Sequence, residues 1–289
     1  MTFQTIKALL NDSVQTLEKA GIEDAKFNVN LIASKALGIE YTKLPLHWSE
    51  TPSDTFINQF QQMVTRRLAH EPLQYILGEW GFLDFDVNVG EGALIPRPET
   101  EEVFLAAVEA IKANSIKSDF KFADVGTGTG ILGLAMAKYF QESIGYLVDV
   151  SDKALEVAKS NLQKYSELNP RLNLIKSDLL EVFQVDSLDV IISNPPYIDS
   201  EEVKSLMPEV LDYEPLIALD GGKNGLELIN KLLKQTEKVL KNKGLFVFEH
   251  GHGQRNEIKK LISPCWKVIK AGNDFADKER FFVLQLCKG

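Results

Sequence analysis

From Phe120 onward the chain alternates short apolar runs with amphipathic stretches, and no other feature restricts its fold as much. The runs are Phe120 to Val125, Gly145 to Asp149, Leu172 to Ile175, Leu188 to Ser193 and Gly244 to Glu249. Between them the apolar residues recur at helical spacing. A parallel strand pair needs a long crossover, and a helix covering the sheet is the usual one, so this alternation predicts βαβ units and a mostly parallel sheet covered on both faces. Two further runs, Trp266 to Lys270 and Arg280 to Leu286, have no helix between them and predict an antiparallel hairpin at one sheet edge.

Upstream the pattern is different. Between Phe3 and about Leu73 apolar residues follow helical spacing, as in Leu9, Val14 and Leu17, then Phe27, Leu31, Ile32 and Ala36. Gly21, Gly38, Pro45 and the helix-start stretch Thr51-Pro52-Ser53-Asp54 divide them into short helices of a small bundle. From Gln74 to Pro98 aromatic and β-branched residues broken by Gly78, Gly81, Gly90 and Gly92 predict a hairpin, with Phe85 to Val89 alternating at period two. Pro96-Arg97-Pro98-Glu99-Thr100-Glu101-Glu102 then opens a helix, because proline suits the first turn and carboxylates there complement the helix dipole. At 289 residues the chain exceeds the usual single domain. The expected division is a helical domain over 1–73, a linking hairpin over 74–98 and an α/β domain over 99–289.

Composition restricts function as well. Hydrophobic residues make up 44% and charged residues 25%, enough apolar material for a folded core. No apolar run reaches the roughly 20 residues of a bilayer span, and the first ten residues lack a signal-peptide core, so a cytoplasmic protein is expected. Cys265 and Cys287 have no CxxC spacing and read as reduced thiols. A net charge of −9 weighs against binding to phosphate backbones, which depends on clustered Lys and Arg.

The first strand runs into Asp124-Val125-Gly126-Thr127-Gly128-Thr129-Gly130, which opens a helix over Ile131 to Phe140. A glycine-rich turn in this place lets a ligand approach the backbone. Ile131 occupies the position where a dinucleotide fingerprint requires glycine, so the turn suits a ligand without a diphosphate. Asp149 ends the next strand, where a carboxylate can accept from both ribose hydroxyls and would repel a 2′-phosphate. Asp178 and Leu179 follow the third strand at the same sheet edge, where an adenine ring can rest, although Asp178 alone also reads as a strand-end turn or helix cap.

The fourth strand runs directly into Asn194-Pro195-Pro196-Tyr197. Two prolines fix φ and lack N–H donors, so the carbonyls of Asn194 and Pro195 can be held as rigid acceptors. An amide or exocyclic amine nitrogen is a poor nucleophile, since its lone pair is delocalised and it becomes positive during methyl transfer. Oxygen acceptors on its two N–H bonds, the Asn194 side-chain carbonyl and the Pro195 backbone carbonyl, would turn the lone pair toward a sulfonium methyl. Tyr197 is expected to pack on the planar substrate group.

These motifs resemble the PrmC/HemK family, S-adenosylmethionine-dependent methyltransferases that modify the glutamine of the Gly-Gly-Gln motif in class I peptide chain release factors. The resemblance spans nearly the whole chain. It rests on Pro72 to Gly78, Leu94 to Glu101, Gly126 to Gly130, Asn194 to Tyr197, Tyr213-Glu214-Pro215 and Asp220 to Leu226. It implies a Rossmann-like class I methyltransferase sheet, mostly parallel with an antiparallel last strand, joined to a helical domain that helps dock the release factor. It also implies that Gly126, Thr127, Gly128, Thr129, Gly130, Asp149, Leu179 and Asn194 bind the cofactor, to which Asp178 is added from its place at the sheet edge, and that Asn194, Pro195, Pro196 and Tyr197 hold the glutamine. The chain departs from the pattern at Glu249-His250-Gly251-His252, where His-x-His without a third ligand reads as loop rather than metal site, and at the charged turn Asp274 to Arg280. Two alternatives stay open: an N-methyltransferase acting on a flipped base, which would need a basic groove, and a non-catalytic cofactor-binding adaptor.

Overall fold

The computed structural model describes residues 4–288, so Phe3 and the outermost ends of the expected spans 1–73 and 99–289 lie outside the described residues. Two compact units are present, one made of the chain up to Glu79 together with Met207–Tyr213, the other of Trp80–Leu206 with the chain from Glu214 onward.

The smaller unit is helical, with α1 (Ile6–Lys19), α2 (Ala25–Leu37), α3 (Asp54–Leu68) and α4 (Leu73–Leu77). Thr5 and Ser53 cap α1 and α3 by accepting the Ala8 and Phe56 N–H groups, and α2 ends at Gly38, whose φ of 66° is the left-handed geometry of a helix stop. Ile6, Leu9, Leu10 and Leu17 of α1, Val29 and Ile32 of α2 and Phe56 and Phe60 of α3 are buried where these three helices pack together. Gln74 to Leu77 form α4 rather than the start of a hairpin, because Pro72 begins a helical turn and Gly78 ends it at φ 77°. Met207–Tyr213, which includes α9 (Pro208–Leu211), belongs to this unit although it lies inside the expected span 99–289. It is held by the nearly buried Arg67, which donates to Glu209 at 3.1 Å and to Asn28 at 2.8 Å, and by the Tyr213 hydroxyl, which donates to the Ala69 carbonyl at 2.7 Å.

The larger unit begins with a two-stranded sheet, β1 (Glu79–Phe82) and β2 (Phe85–Asn88). Its seven-stranded sheet has the order β5-β4-β3-β6-β7-β9-β8, formed by β3 (Lys121–Val125), β4 (Ile144–Asp149), β5 (Leu172–Lys176), β6 (Leu188–Ser193), β7 (Leu240–Glu249), β8 (Trp266–Asn273) and β9 (Glu279–Leu286). Strands β3 to β7 are parallel, and β9 runs antiparallel to both β7 and β8, as the sequence predicts. On one face α5 (Pro98–Ala113), α6 (Ile131–Tyr139) and α7 (Asp152–Lys164) adjoin one another. On the other, Ile229, Leu232 and Leu233 of α10 (Glu227–Val239) and Ile258 of α11 (Arg255–Leu261) share a buried core with Ala123, Val125, Ile191, Phe246 and Phe248. The alternation Ala123/Val125 and Phe246/Phe248 is the period of a strand presenting one row of side chains to each face. Among the described residues, no helix is long and apolar enough to cross a membrane.

Candidate active site

The order of the strands places the site. The chain builds outward from β3 through β4 to β5, then crosses back to β6 on the other side of β3, and such a reversal opens a crevice at the carboxyl ends. Register brings those ends level: Val125 lies opposite both Val148 and Ser193, and Asp149 opposite Lys176. The turn after β3 therefore meets the loop after β6, and a cavity of about 320 Å³ lies where they meet. Gly126, Thr127, Gly128, Thr129, Asp149, Asp178, Leu179, Asn194, Pro195 and Pro196 all border it, while Gly130 and Tyr197 do not.

The glycine turn is built by local chemistry. Gly126 and Gly128 have φ of 70° and 54°, a region that glycine enters without steric cost. Thr127 points inward, its hydroxyl donating at 2.6 Å to Asp124, whose same oxygen accepts the Gly133 N–H at 2.9 Å. Burial pushes the Asp124 carboxyl up to about 7 against those two hydrogen bonds. Gly130 packs instead of binding, since a Cβ there would press on Ala158 and Leu147. At the end of β4, Asp149 accepts the N–H groups of Gly128 at 3.0 Å and Ser151 at 2.9 Å, which fixes its plane while lone pairs remain for a ligand. Its pKa is raised, because burial outweighs the backbone hydrogen bonds. Leu179 is held at φ 53°, a conformation costing a bulky residue roughly 1–2 kcal/mol and common where a side chain is aimed at a ligand. Asp178 pairs with Lys231 at 2.5 Å and is half-exposed.

A chain of hydrogen bonds lies behind Asn194. The Asn194 Nδ2 donates to Thr100 Oγ1 at 3.0 Å, the Thr100 hydroxyl donates to Glu249 Oε2 at 2.7 Å, and the Tyr197 hydroxyl donates to Glu249 Oε1 at 3.0 Å. Asn194 borders the cavity, and among the described residues nothing donates to its Oδ1, which keeps its acceptor capacity. Tyr197 is thus turned toward Glu249, with burial and the neighbouring carboxylate raising its own pKa. Glu249 is 0% exposed, and burial pushes it up to about 7 despite the bonds from Thr100 and Tyr197 and the charge of Arg280.

The loop from Asn194 to Tyr197 is braced from outside. Gly225 has φ 67° and sits where a Cβ would overlap the Tyr197 carbonyl, and Gln254 Nε2 donates to that carbonyl at 2.8 Å and to Asn224 O at 3.0 Å. Asp199 accepts the Asn224 N–H, tying the loops together. On the opposite wall Arg97 pairs with the buried Glu214, which also accepts the Ile95 N–H at 3.1 Å. The two histidines of His-x-His do not converge: His250 is buried against Phe282 and lowered to about 4 by burial, and His252 is exposed. Among the described residues no group of three His, Cys, Asp or Glu is arranged to hold a metal ion.

Sequence reasoning found the cavity's bordering loops but not Thr100 or Glu249. Thr100 lies in a stretch whose acidic and proline content is accounted for by a helix start, and Glu249 ends the run Gly244 to Glu249, next to the His-x-His stretch read as loop. The signal that existed was a carboxylate ending an otherwise wholly apolar strand, Leu245 to Phe248.

Residues 8–78 match the model of the PrmC N-terminal domain, and residues 104–212 that of the methyltransferase small domain. A release factor glutamine methyltransferase of Clostridium acetobutylicum is 36% identical over 227 residues, 78% of either chain. One from Thermodesulfovibrio yellowstonii is 34% identical over 275 residues, covering 91% of this chain and 95% of that one. A methyltransferase from Pyrococcus furiosus superimposes with a TM-score of 0.52 at 16% identity, over 79% of this chain and 98% of its own, a likeness of fold. With relatives this similar along nearly its full length, the chain belongs to the release factor glutamine methyltransferase family.

Proposed function

We propose that this protein methylates the side-chain amide nitrogen, N5, of the glutamine in the Gly-Gly-Gln motif of class I peptide chain release factors, with S-adenosylmethionine as donor. The observation that carries the reading is the Asn194 amide, fixed through its nitrogen by Thr100 so that its oxygen is the free acceptor at the cavity wall.

The residues present fit such a cofactor. Gly126 and Gly128 leave room for close approach to the backbone, Asp149 retains acceptor capacity for two ribose hydroxyls, and Leu179, Ile131 and Val150 give an apolar bed for a flat ring. S-adenosylmethionine supplies an electrophilic methyl group on a sulfonium centre. Asn194 Oδ1 and the Pro195 carbonyl accept the two N–H bonds of the substrate amide, so positive charge growing on that nitrogen meets oxygen dipoles already in place. Dipoles that need no reorganisation lower the barrier more than they lower the ground state. Pro195 and Pro196 keep the loop stiff, and alignment of nucleophile and methyl removes entropic cost. A partner of this class also implies a cytoplasmic location.

The test uses labelled cofactor and a lysate of cells lacking the enzyme, followed by mass spectrometry. Label on the glutamine of Gly-Gly-Gln is expected; label on nucleic acid would select the base-methylating alternative, and no transfer at all would select the adaptor.

A further inference from the structure

We infer that Thr100 and Glu249 are positioning residues that decide which end of the Asn194 amide faces the substrate. The inference rests on the reading of Asn194 as an acceptor for the substrate N–H. An asparagine amide is nearly symmetric in shape, and turning it by half a circle exchanges a carbonyl for an NH₂. Only the carbonyl orientation accepts a substrate N–H. Something must therefore discriminate between the two, and among the described residues no donor reaches Oδ1.

The discrimination lies one and two bonds behind. A threonine hydroxyl has a single proton. Thr100 gives it to Glu249 Oε2 at 2.7 Å, leaving only lone pairs toward Asn194, and these admit an NH₂ at 3.0 Å but repel a carbonyl. Glu249 in turn is committed as an acceptor on both oxygens, since Tyr197 donates to Oε1. Glu249 (0% exposed) is shut off from water that could substitute for a missing donor, and Thr100 (4%) borders the cavity with little of its surface open. The polarity of the chain thus originates at the carboxylate and is read out at the active site.

The state of Glu249 depends on the groups around it: Glu99 and Thr100 on α5, Tyr197 on the loop after β6, and Arg280 on β9, which also pairs with Asp274 at 2.9 Å. Desolvation holds its pKa near 7. A protonated Glu249 can donate to Thr100, release the hydroxyl proton toward Asn194 and lose the discrimination, so turnover is expected to fall as pH drops through neutrality.

The experiment compares full-length wild type, Thr100→Val, Thr100→Ser and Glu249→Gln on a purified class I release factor, with cofactor affinity measured by calorimetry. Thr100→Val keeps the shape and removes the proton, and its kcat is expected to fall by about thirtyfold while the cofactor Kd stays within about threefold. Thr100→Ser restores most of that loss. Glu249→Gln lowers kcat and flattens its dependence on pH below about 8. A Thr100→Val enzyme with kcat near wild type overturns the inference, as does a serine variant as impaired as the valine one, which would mean that only packing matters. Loss of cofactor affinity in Thr100→Val equal to its loss in kcat also overturns it. Wild type that labels no glutamine at all refutes the underlying reading, and the inference falls with it.

Discussion

On the function proposed above, two side chains that border the cavity, Asp149 and Asn194, divide binding from chemistry. Asp149 reaches the cavity already holding two backbone N–H groups, so its carboxylate is oriented before any ligand arrives, and a charge-assisted hydrogen bond to a hydroxyl contributes about 1.5–3 kcal/mol. Asp149→Ala is therefore expected to weaken cofactor binding by roughly tenfold to a hundredfold. Asn194→Ala removes an acceptor that matters most when the substrate nitrogen is charged, so cofactor affinity is expected to stay within about tenfold while most turnover disappears. Calorimetry and kcat on the same two variants check both halves. Equal losses in both columns for both residues would show that the division of labour is wrong.

At the scale of elements, the loop from Asn194 to Tyr197 owes its shape to neighbours remote in sequence. Gly225 is the tightest of these contacts, and Gly225→Ala would combine a positive φ with overlap on the Tyr197 carbonyl. Gly253, at φ 84° with open space around its Cα, isolates the first effect, which costs about 1–2 kcal/mol. Gly225→Ala is expected to exceed Gly253→Ala in loss of unfolding free energy by at least about 1 kcal/mol and to lower kcat at least about tenfold; similar values for the two would remove the bracing role. Such cooperation explains what could be read in the sequence. The glycine turn and Asp149 are legible because each is a short segment whose backbone demands are met by its own residues, and Asn194 to Tyr197 because its two prolines mark the segment even though remote neighbours brace it. Thr100 and Glu249 are 149 positions apart and meet only because α5 crosses the sheet at β7, a matter of register that no local pattern encodes. The hydrogen bond from Tyr197 to Glu249 is likewise not readable locally, and Met207–Tyr213 looks like part of the α/β domain until Arg67 is found holding Glu209.

For the molecule as a whole, the buried carboxylate at the centre of the site carries an energetic cost that depends on pH. Glu249 has an ordinary value of 4.5 and is raised to about 7 by burial, so the folded state holds a proton that the unfolded state has released between these values. Stability from this group is full below about pH 4.5 and is lost as pH rises through 7. Asp124, raised from 3.8 to about 7, acts in the same direction, whereas His250, lowered from 6.5 to about 4, opposes both by binding its proton only when unfolded. His250 offsets only one of the two carboxyls and only below about pH 6.5, so the net slope stays negative, and the contribution of Glu249 is isolated by difference. Between about pH 5.5 and pH 8 wild type is expected to lose about 2 kcal/mol of unfolding free energy relative to Glu249→Gln, measured by urea titration at each pH. Over the same interval the wild-type kcat is expected to rise, since on the inference above the ionised carboxylate that destabilises the core also sets the direction of the hydrogen bonds behind Asn194. Parallel slopes of stability for the two proteins would mean that Glu249 is already ionised at pH 5.5, and the opposed trends of stability and turnover would then have no common origin.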